Sequence, residues 1–362
     1  MGASASAPDE GKGIPPGPPP TEDFVVRLDG TNEAYIAGSA SATAFLTARV
    51  ALVVSDSCPP SLLSLCAMQP QALLALARDL ERLLELFDAC VGRRPPVTTS
   101  SLGRRVRVEV DFLEGAAGLA HHGRAGFAVG PAFAEECARS RCAGVGTGAL
   151  LSHVFTYECC RNYLFAEFTS VVDYAVARGV VSRGTQVAVE PSCWGWVNQG
   201  FVNCLGVLLF LDDDGPGGLA TRSAVDYHGQ NAEGFLASME AALQRHIDDT
   251  SLSWEDTFMH ERLPWAEHQS LDNVYSGLLV RLWRGEGRGA FLARFFQVAL
   301  PTLRGNGRLP RDKGDFATAR ENLFLACSIA ARRDLGAEFA KLRLPLRAGV
   351  AGELALLLVA TS

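Results

Sequence analysis

The chain has 362 residues, of which 48% are hydrophobic and 20% are charged. This much apolar material supplies a sizeable core, excludes intrinsic disorder for the chain as a whole, and at this length suggests about two domains. The net charge is -7, from 33 basic and 40 acidic residues. Because no basic stripe is present to neutralise phosphates, the sequence excludes a general nucleic-acid-binding protein.

The ten cysteines stand mostly within apolar or helical patterns, as Cys66, Cys90, Cys204 and Cys327 do. The N-terminal region shows no secretory signal, so we expect free, buried thiols and a cytoplasmic location. The longest strongly apolar run, residues 200–211, is too short to cross a bilayer. We therefore expect no transmembrane segment.

Residues 1–22 are rich in proline and predict a disordered, polyproline-like tail. The first six residues, MGASAS, match the N-myristoylation pattern, which would place an acyl chain on Gly2. One acyl chain gives only marginal membrane binding, and Lys12 is the only basic residue before Arg27. The two interpretations are a chance match of small residues and a peripheral membrane contact through Gly2.

The elements predicted after the tail begin with strands. Short alternating or β-branched runs at 24–28 and 46–55 predict two of them. A helical pattern with leucines on one face extends from 70 to 92. Residues 105–112 alternate charged residues with valines, which predicts a half-buried strand. A glycine-rich hairpin follows, with a short strand at 126–129.

From residue 148 the pattern changes to long helical segments joined by loops that contain Gly and Pro. The predicted helices are 148–179, 193–211, 232–248, 271–284, 289–303 and 315–333. This order favours an α+β fold over alternating βαβ units. We expect a small mixed sheet over 23–147 and a mainly helical subdomain over 148–362.

The most informative segment is 151–163, LSHVFTYECCRNY. In a helix, His153, Tyr157 and Arg161 share one face, and Glu158 lies beside it. Charges in so apolar a helix are costly unless they are paired or functional. Glu158 and Arg161 are three residues apart, so the helix predicts an ion pair between them. One interpretation is an ordinary internal ion pair in a helical protein.

A helix of this character, following a strand and a hairpin and preceding a helical half, resembles the active-site helix of the gluzincin metallopeptidases. Those enzymes carry H-E-x-x-H there: two histidines bind zinc, and the glutamate is the general base. The corresponding run here is YECCR, residues 157–161, which keeps the glutamate as Glu158 and neither histidine.

A second run strengthens the resemblance. Residues 196–201, WVNQGF, are similar to the W-x-N-E-G-F segment that supplies the third zinc ligand in aminopeptidase-type gluzincins. Gln199 stands where the ligand glutamate would be. The resemblance also implies a cleft, for which the candidate lining residues are His121, His122, His153 and Trp196.

The resemblance implies a degenerate metal site. Tyr157, Arg161 and Gln199 do not offer the neutral imidazole, thiolate or carboxylate that zinc prefers. The cation of Arg161 could occupy the space and charge of the missing ion beside Glu158. We therefore expect zinc to be lost, and a metallopeptidase-like pseudoenzyme that binds a peptide or protein along an edge strand.

Two other functions stay open. An active hydrolase would use Glu158 as general base, with Tyr157 or His153 as proton donor or oxyanion stabiliser. It predicts a glutamate freed from Arg161 beside an open pocket, whereas the pseudoenzyme predicts a closed ion pair. A helical scaffold would have no cavity beside this helix.

Overall fold

The structure is a computed structural model. It describes residues 23–29, 41–95, 97, 102–121, 125–142, 149–168, 200–216, 218–226, 230–254, 271–308 and 316–361. The strands in these ranges are β1 (Phe24–Asp29), β2 (Ser41–Leu46), β3 (Val50–Ser55), β4 (Val106–Val110), β5 (Gly118–Ala120), β6 (Phe127–Val129), β7 (Ala149–Ser152) and β8 (Ser223–Asp226).

The helices in the same ranges include one short π-helical turn, Phe295–Ala299, which joins α9 to α10. The α-helices are α1 (Pro60–Met68), α2 (Pro70–Val91), α3 (Pro131–Cys142), α4 (His153–Phe168), α5 (Val202–Asp212), α6 (Leu219–Arg222), α7 (Ala232–Asp248), α8 (Leu271–Gly285), α9 (Gly289–Arg294), α10 (Leu300–Gly305), α11 (Phe316–Ala331), α12 (Gly336–Lys341) and α13 (Val350–Thr361).

Six strands form one mixed sheet in the order β1-β2-β3-β4-β6-β5. The first three run antiparallel, β3, β4 and β6 run parallel, and β5 runs antiparallel to β6 at the end of the sheet. Parallel neighbours need a crossover connection, which α1 and α2 supply between β3 and β4. The predicted α+β class, with a mixed sheet near the N-terminus and a helical C-terminal part, is confirmed.

The helix α2 forms much of the core against this sheet. Pro70 begins it, and Gly92 ends it in a left-handed conformation (φ 79°), as expected for these two residues. The apolar side chains predicted to share one face are all buried, namely Leu73, Leu76, Leu80, Leu83, Leu84 and Phe87. The helical prediction for this segment is therefore confirmed.

The strand predicted over 46–55 is confirmed at Val50–Ser55 and is wrong at its start. β2 ends at Leu46, and β3 begins only at Val50. Between them, the N–H of Thr47 donates to the carbonyl of Val50, and the hydroxyl of Thr47 accepts from the N–H of Val50. The threonine thereby closes a turn, because a side-chain hydroxyl can satisfy backbone groups that leave the ladder.

The prediction of a helix beginning at 148 is also wrong at its start. Residues Ala149–Ser152 form β7, which pairs in parallel with β8. This long-range pairing overrides the helical periodicity, so α4 begins only at His153. The later part of that prediction, 169–179, lies outside the described residues.

The predicted helices at 232–248, 271–284, 289–303 and 315–333 are confirmed to within a few residues at each end. Of the prediction at 193–211, the described part begins at residue 200 and contains α5. The helices α12 and α13 were not predicted. The nine cysteines in the described ranges are free thiols, and all except Cys142 are buried.

Within the described ranges, no single helix combines the length and the apolar character that a bilayer-spanning segment needs. Taken together, α1 and α2 meet both requirements, but they are bent by 94° at the break between them.

Candidate functional site

The helix α4 carries the predicted site residues on one face. The rings of His153 and Tyr157 lie 5.9 Å apart, and the guanidinium of Arg161 lies 5.7 Å from the centre of the Tyr157 ring. Successive positions four residues apart stack in a helix, so this arrangement follows from the spacing alone. The predicted shared face is confirmed.

Glu158 points from α4 into the protein and is only 2% exposed. The Nη1 atom of Arg161 lies 3.4 Å from each of its carboxylate oxygens, which confirms the predicted ion pair. Burial raises the pKa of the Glu158 carboxyl, while Arg161 and a hydrogen bond from the N–H of Ala120 oppose that rise. The charge is therefore compensated by two donors, one side chain and one backbone group.

The strand β5 brings the backbone donor to Glu158. The N–H of His121 donates to the carbonyl of Gly126 (3.0 Å), and the N–H of Gly130 donates to the carbonyl of Ala117 (2.9 Å). Ladder groups alternate along a strand, so the N–H of Ala120 points away from β6. The Glu158 carboxylate thus lies at the outer edge of the sheet's last strand.

Gly118 makes this approach possible. A methyl group on Gly118 would lie 2.5 Å from Cγ and 2.8 Å from Oε1 of Glu158, closer than atoms can approach. Only glycine leaves room for the glutamate to cross the strand and reach the N–H of Ala120. Sequence reasoning missed both β5 residues, because a glycine in a Gly-rich hairpin gives no separate signal.

Asn162, one turn after Glu158, ties the end of the same hairpin to α4. Its Oδ1 accepts from the N–H of Gly126 (3.0 Å), and its Nδ2 donates to the carbonyl of His121 (2.9 Å). Sequence reasoning also missed this residue. A buried amide in an apolar helix, four residues from a buried carboxylate, was the available signal.

The two described histidines of the candidate cleft, His121 and His153, are both buried. The side chain of Asn162 holds the hairpin that carries His121 against α4. The Nε2 atom of His153 lies 2.9 Å from the carbonyl of Asn203 on α5, and its ring packs edge-on against Phe235. Both imidazoles therefore pack against other groups of the protein.

Three predicted site residues, His122, Trp196 and Gln199, lie outside the described residues. The run that contains the last two ends at Phe201, which is described. Its ring is buried against those of Phe295 and Phe296, at centroid distances of 4.9 and 5.9 Å.

The side chains that flank Glu158 on α4 do not suit zinc. Arg161 is a permanent cation with no lone pair to donate, and its guanidinium lies beside both Glu158 and the ring of Tyr157. Zinc needs neutral imidazole, thiolate or carboxylate ligands. Among the described side chains, no group of three or more His, Cys, Asp or Glu is arranged to hold a metal ion.

Comparisons of the chain with family profiles, with curated proteins and with solved structures find no match. The resemblance to gluzincins therefore stays a prediction that rests on residues 157–161 and 196–201.

Proposed function

We propose that this chain is a catalytically degenerate, metallopeptidase-like protein that binds an extended peptide. The observation that carries the proposal is the environment of Glu158. Its carboxylate is buried against Arg161 and the N–H of Ala120, whereas a general base needs access to a water molecule and a substrate.

The charge at this position supports the proposal. In a zinc peptidase of the H-E-x-x-H type, the glutamate lies beside a divalent cation. Here the guanidinium of Arg161 lies beside Glu158 and supplies a positive charge without metal ligands. An arginine cannot lower the pKa of a bound water or act as a Lewis acid as zinc does.

The edge strand β5 supports the proposal that the protein binds an extended peptide. β5 is the last strand of the six-stranded sheet, and its even-numbered backbone groups point away from β6. An extended peptide can add to such an edge through main-chain hydrogen bonds. The carboxylate of Glu158 links this edge to Arg161, which shares a face of α4 with Tyr157.

One observation favours the alternative of an active hydrolase. The pKa of Glu158 is raised by burial, and a carboxyl group with a raised pKa suits general acid–base catalysis near neutral pH. This function would require Glu158 to separate from Arg161 when substrate binds.

A single experiment with peptides distinguishes these functions. The full chain and its Glu158→Gln variant are incubated with a library of N-acetylated pentapeptides, and cleaved and retained peptides are identified by mass spectrometry. The pseudoenzyme retains peptides without cleaving them, in both forms. Cleavage by the wild type that is lost in Glu158→Gln establishes the hydrolase. If peptides are neither retained nor cleaved, the helical scaffold is the function that remains.

A further inference from the structure

We propose that the outer side of α13 pairs with the same helix of a second copy of this chain. The two helices run antiparallel and are related by a two-fold axis. The pairing uses none of the residues of the proposed peptide site, so it does not depend on peptide binding.

The helix α13 is apolar on both of its sides. Its inner side buries Val350, Leu354 and Leu357, and the helix contacts α11. On its outer side, Leu356 is 74% exposed and Val359 is 79% exposed. A helix that is apolar all round is normally covered on every side. The outer side of α13 therefore has the character of an interface rather than of a solvated surface.

The helix is held in place before any partner arrives. Glu353 accepts two hydrogen bonds from Arg308, at 2.6 and 2.7 Å. Arg308 is itself buried and also donates to Asn322 on α11. Because these bonds fix the first turn of α13, its outer side is already ordered, and an ordered surface loses less conformational entropy on association.

The chemistry of the helix favours a protein partner over a lipid surface. Helices that lie in a membrane interface carry Lys and Arg on one side and residues such as Trp and Phe on the other. The sequence of α13, VAGELALLLVAT, contains none of these four residue types. Its one charged residue is Glu353, and a carboxylate is repelled by anionic lipids. We therefore assign the outer side to a protein surface.

The sizes of the outer side chains point to a second copy as that partner. The exposed residues on this side are Ala351, Gly352, Ala355, Leu356, Val359 and Ala360. In an antiparallel pair whose two-fold axis passes between positions 355 and 356, Leu356 of one copy faces Ala355 of the other. Val359 likewise faces Gly352, where an added methyl group would meet no atom within 4 Å.

Each large side chain thus meets a small one, and the same match occurs twice about the axis. A two-fold interface requires a surface that is complementary to itself, whereas a surface for an unrelated partner has no such requirement. A parallel pair would instead place Leu356 against Leu356 and Gly352 against Gly352, which leaves one contact crowded and the other empty. The antiparallel arrangement is therefore the one that these residues fit.

The size of the helix sets the expected affinity. With 12 residues, α13 is about 18 Å long, and its outer side is about 10 Å wide. Such a surface is smaller than the roughly 800 Å² that each partner buries in a standard interface. We therefore expect a weak dimer, with a Kd on the order of 100 μM.

Sedimentation velocity of the full chain, from about 1 μM to about 500 μM, measures this dimer. We expect the wild type to shift from monomer to dimer over this range. Leu356→Ala should raise the Kd about tenfold or more, because it removes apolar area from the centre of the pair. Leu356→Glu should abolish the dimer, because it places a charge there. Met68→Ala is the matched control, since Met68 is 73% exposed and lies on α1. It should dimerise as the wild type does.

An exchange of side chains tests the antiparallel register. Ala355→Leu alone should weaken the dimer, because it sets two leucines against each other. Ala355→Leu/Leu356→Ala restores one large and one small residue at each contact, and its Kd should return to within about threefold of the wild-type value. Urea unfolding of each variant shows whether the monomer keeps its stability, as expected for side chains that are exposed in it.

Several results would overturn the pairing. A wild type that stays monomeric at the highest concentration would do so, and so would a dimer that Leu356→Glu leaves intact. A double variant that dimerises no better than Ala355→Leu would show that the register is wrong. Flotation with vesicles of phosphatidylcholine and phosphatidylserine tests the lipid surface. Vesicle binding that is lost in Leu356→Glu, without a dimer in the wild type, would assign α13 to a membrane instead.

Discussion

Glu158 combines two properties that rarely occur together in a helix side chain. It is almost completely buried, and its charge is met by one guanidinium at a long distance and one backbone N–H. Burying a carboxylate is tolerable only while these donors remain. The stability of the site should therefore depend on each of its few partners.

Replacing Arg161 tests the charge compensation. Arg161→Gln should lower the free energy of unfolding at pH 7 by about 2 kcal/mol, because it leaves a buried carboxylate without its counter-charge. Arg161 holds down the pKa of Glu158, so its loss raises that pKa further. A group with a raised folded-state pKa favours the folded state at low pH. The deficit should therefore shrink as the pH falls through the folded-state pKa of Glu158 toward about 4.3, its unfolded value.

The measurement is urea unfolding of both proteins from pH 7 to pH 4. Arg139→Gln is the matched control, because Arg139 forms an i,i+4 pair with Glu135 and its side chain is 60% exposed. It should cost under about 1 kcal/mol. A pH-independent deficit for Arg161→Gln would show that the guanidinium does not compensate Glu158.

Replacing Asn162 tests the tie between α4 and the β5–β6 hairpin. Asn162→Ala should destabilise the fold by about 1–3 kcal/mol, because it leaves the N–H of Gly126 and the carbonyl of His121 without this partner. Asn306→Ala, which removes an exposed amide bonded to Thr302, should change stability by under about 0.5 kcal/mol. Equal effects in urea unfolding would contradict the tie.

Restoring the two histidines tests the correspondence with H-E-x-x-H. In Tyr157→His/Arg161→His, two imidazoles lie one turn apart on α4, which is the spacing that binds zinc. We expect measurable zinc binding by calorimetry in this double variant and none in Tyr157→His alone. Zinc binding that does not differ between the two variants would contradict the correspondence.

At the scale of elements, the sequence predicts the helices whose formation depends on residues close together in the chain. The α2 pattern is amphipathic and capped by Pro70 and Gly92, so its sequence alone specifies it. β7 could not be predicted, because its strand character comes from pairing with β8, more than 70 residues later in the chain. Likewise, the ion pair of Glu158 and Arg161 was predictable from helix spacing, whereas the contact with Gly118 required the fold.

His246 on α7 contacts the segment between α12 and α13, and this contact predicts that the stability of the protein depends on pH. His246 is fully buried, its Nε2 lies 3.2 Å from the carbonyl of Leu342, and the guanidinium of Arg343 lies 3.1–3.3 Å from its ring nitrogens. Burial lowers the pKa of His246, with Arg343 adding to the effect and Asp249 opposing it. The folded state therefore binds a proton on His246 less readily than the unfolded state.

It follows that stability supplied by neutral His246 is present above the unfolded-state pKa of about 6.5 and is lost as the pH falls below it. The slope should reach up to about 1.4 kcal/mol per pH unit. Urea unfolding between pH 7.5 and pH 5 measures it, and His246→Gln should remove this part of the slope. Parallel profiles for wild type and variant would contradict the role of His246.

At the scale of the whole molecule, the mixed sheet and the helical part meet at α4. This helix contacts β5 and β6 on the sheet side and α5 on the helical side. Glu158 and Asn162 hold it to the hairpin, and His153 faces α5. A peptide bound beside α4 would lie at the junction of the two parts, which is where ligand sites commonly occur.

In the proposed function, Arg161 takes the place of a metal ion beside Glu158. The most direct test is the zinc content of the purified full chain, measured by inductively coupled plasma mass spectrometry alongside Glu158→Gln. We predict no stoichiometric zinc in either protein, because the donors at these positions do not bind it. About one zinc per chain would contradict the claim and would mean that other residues form the metal site.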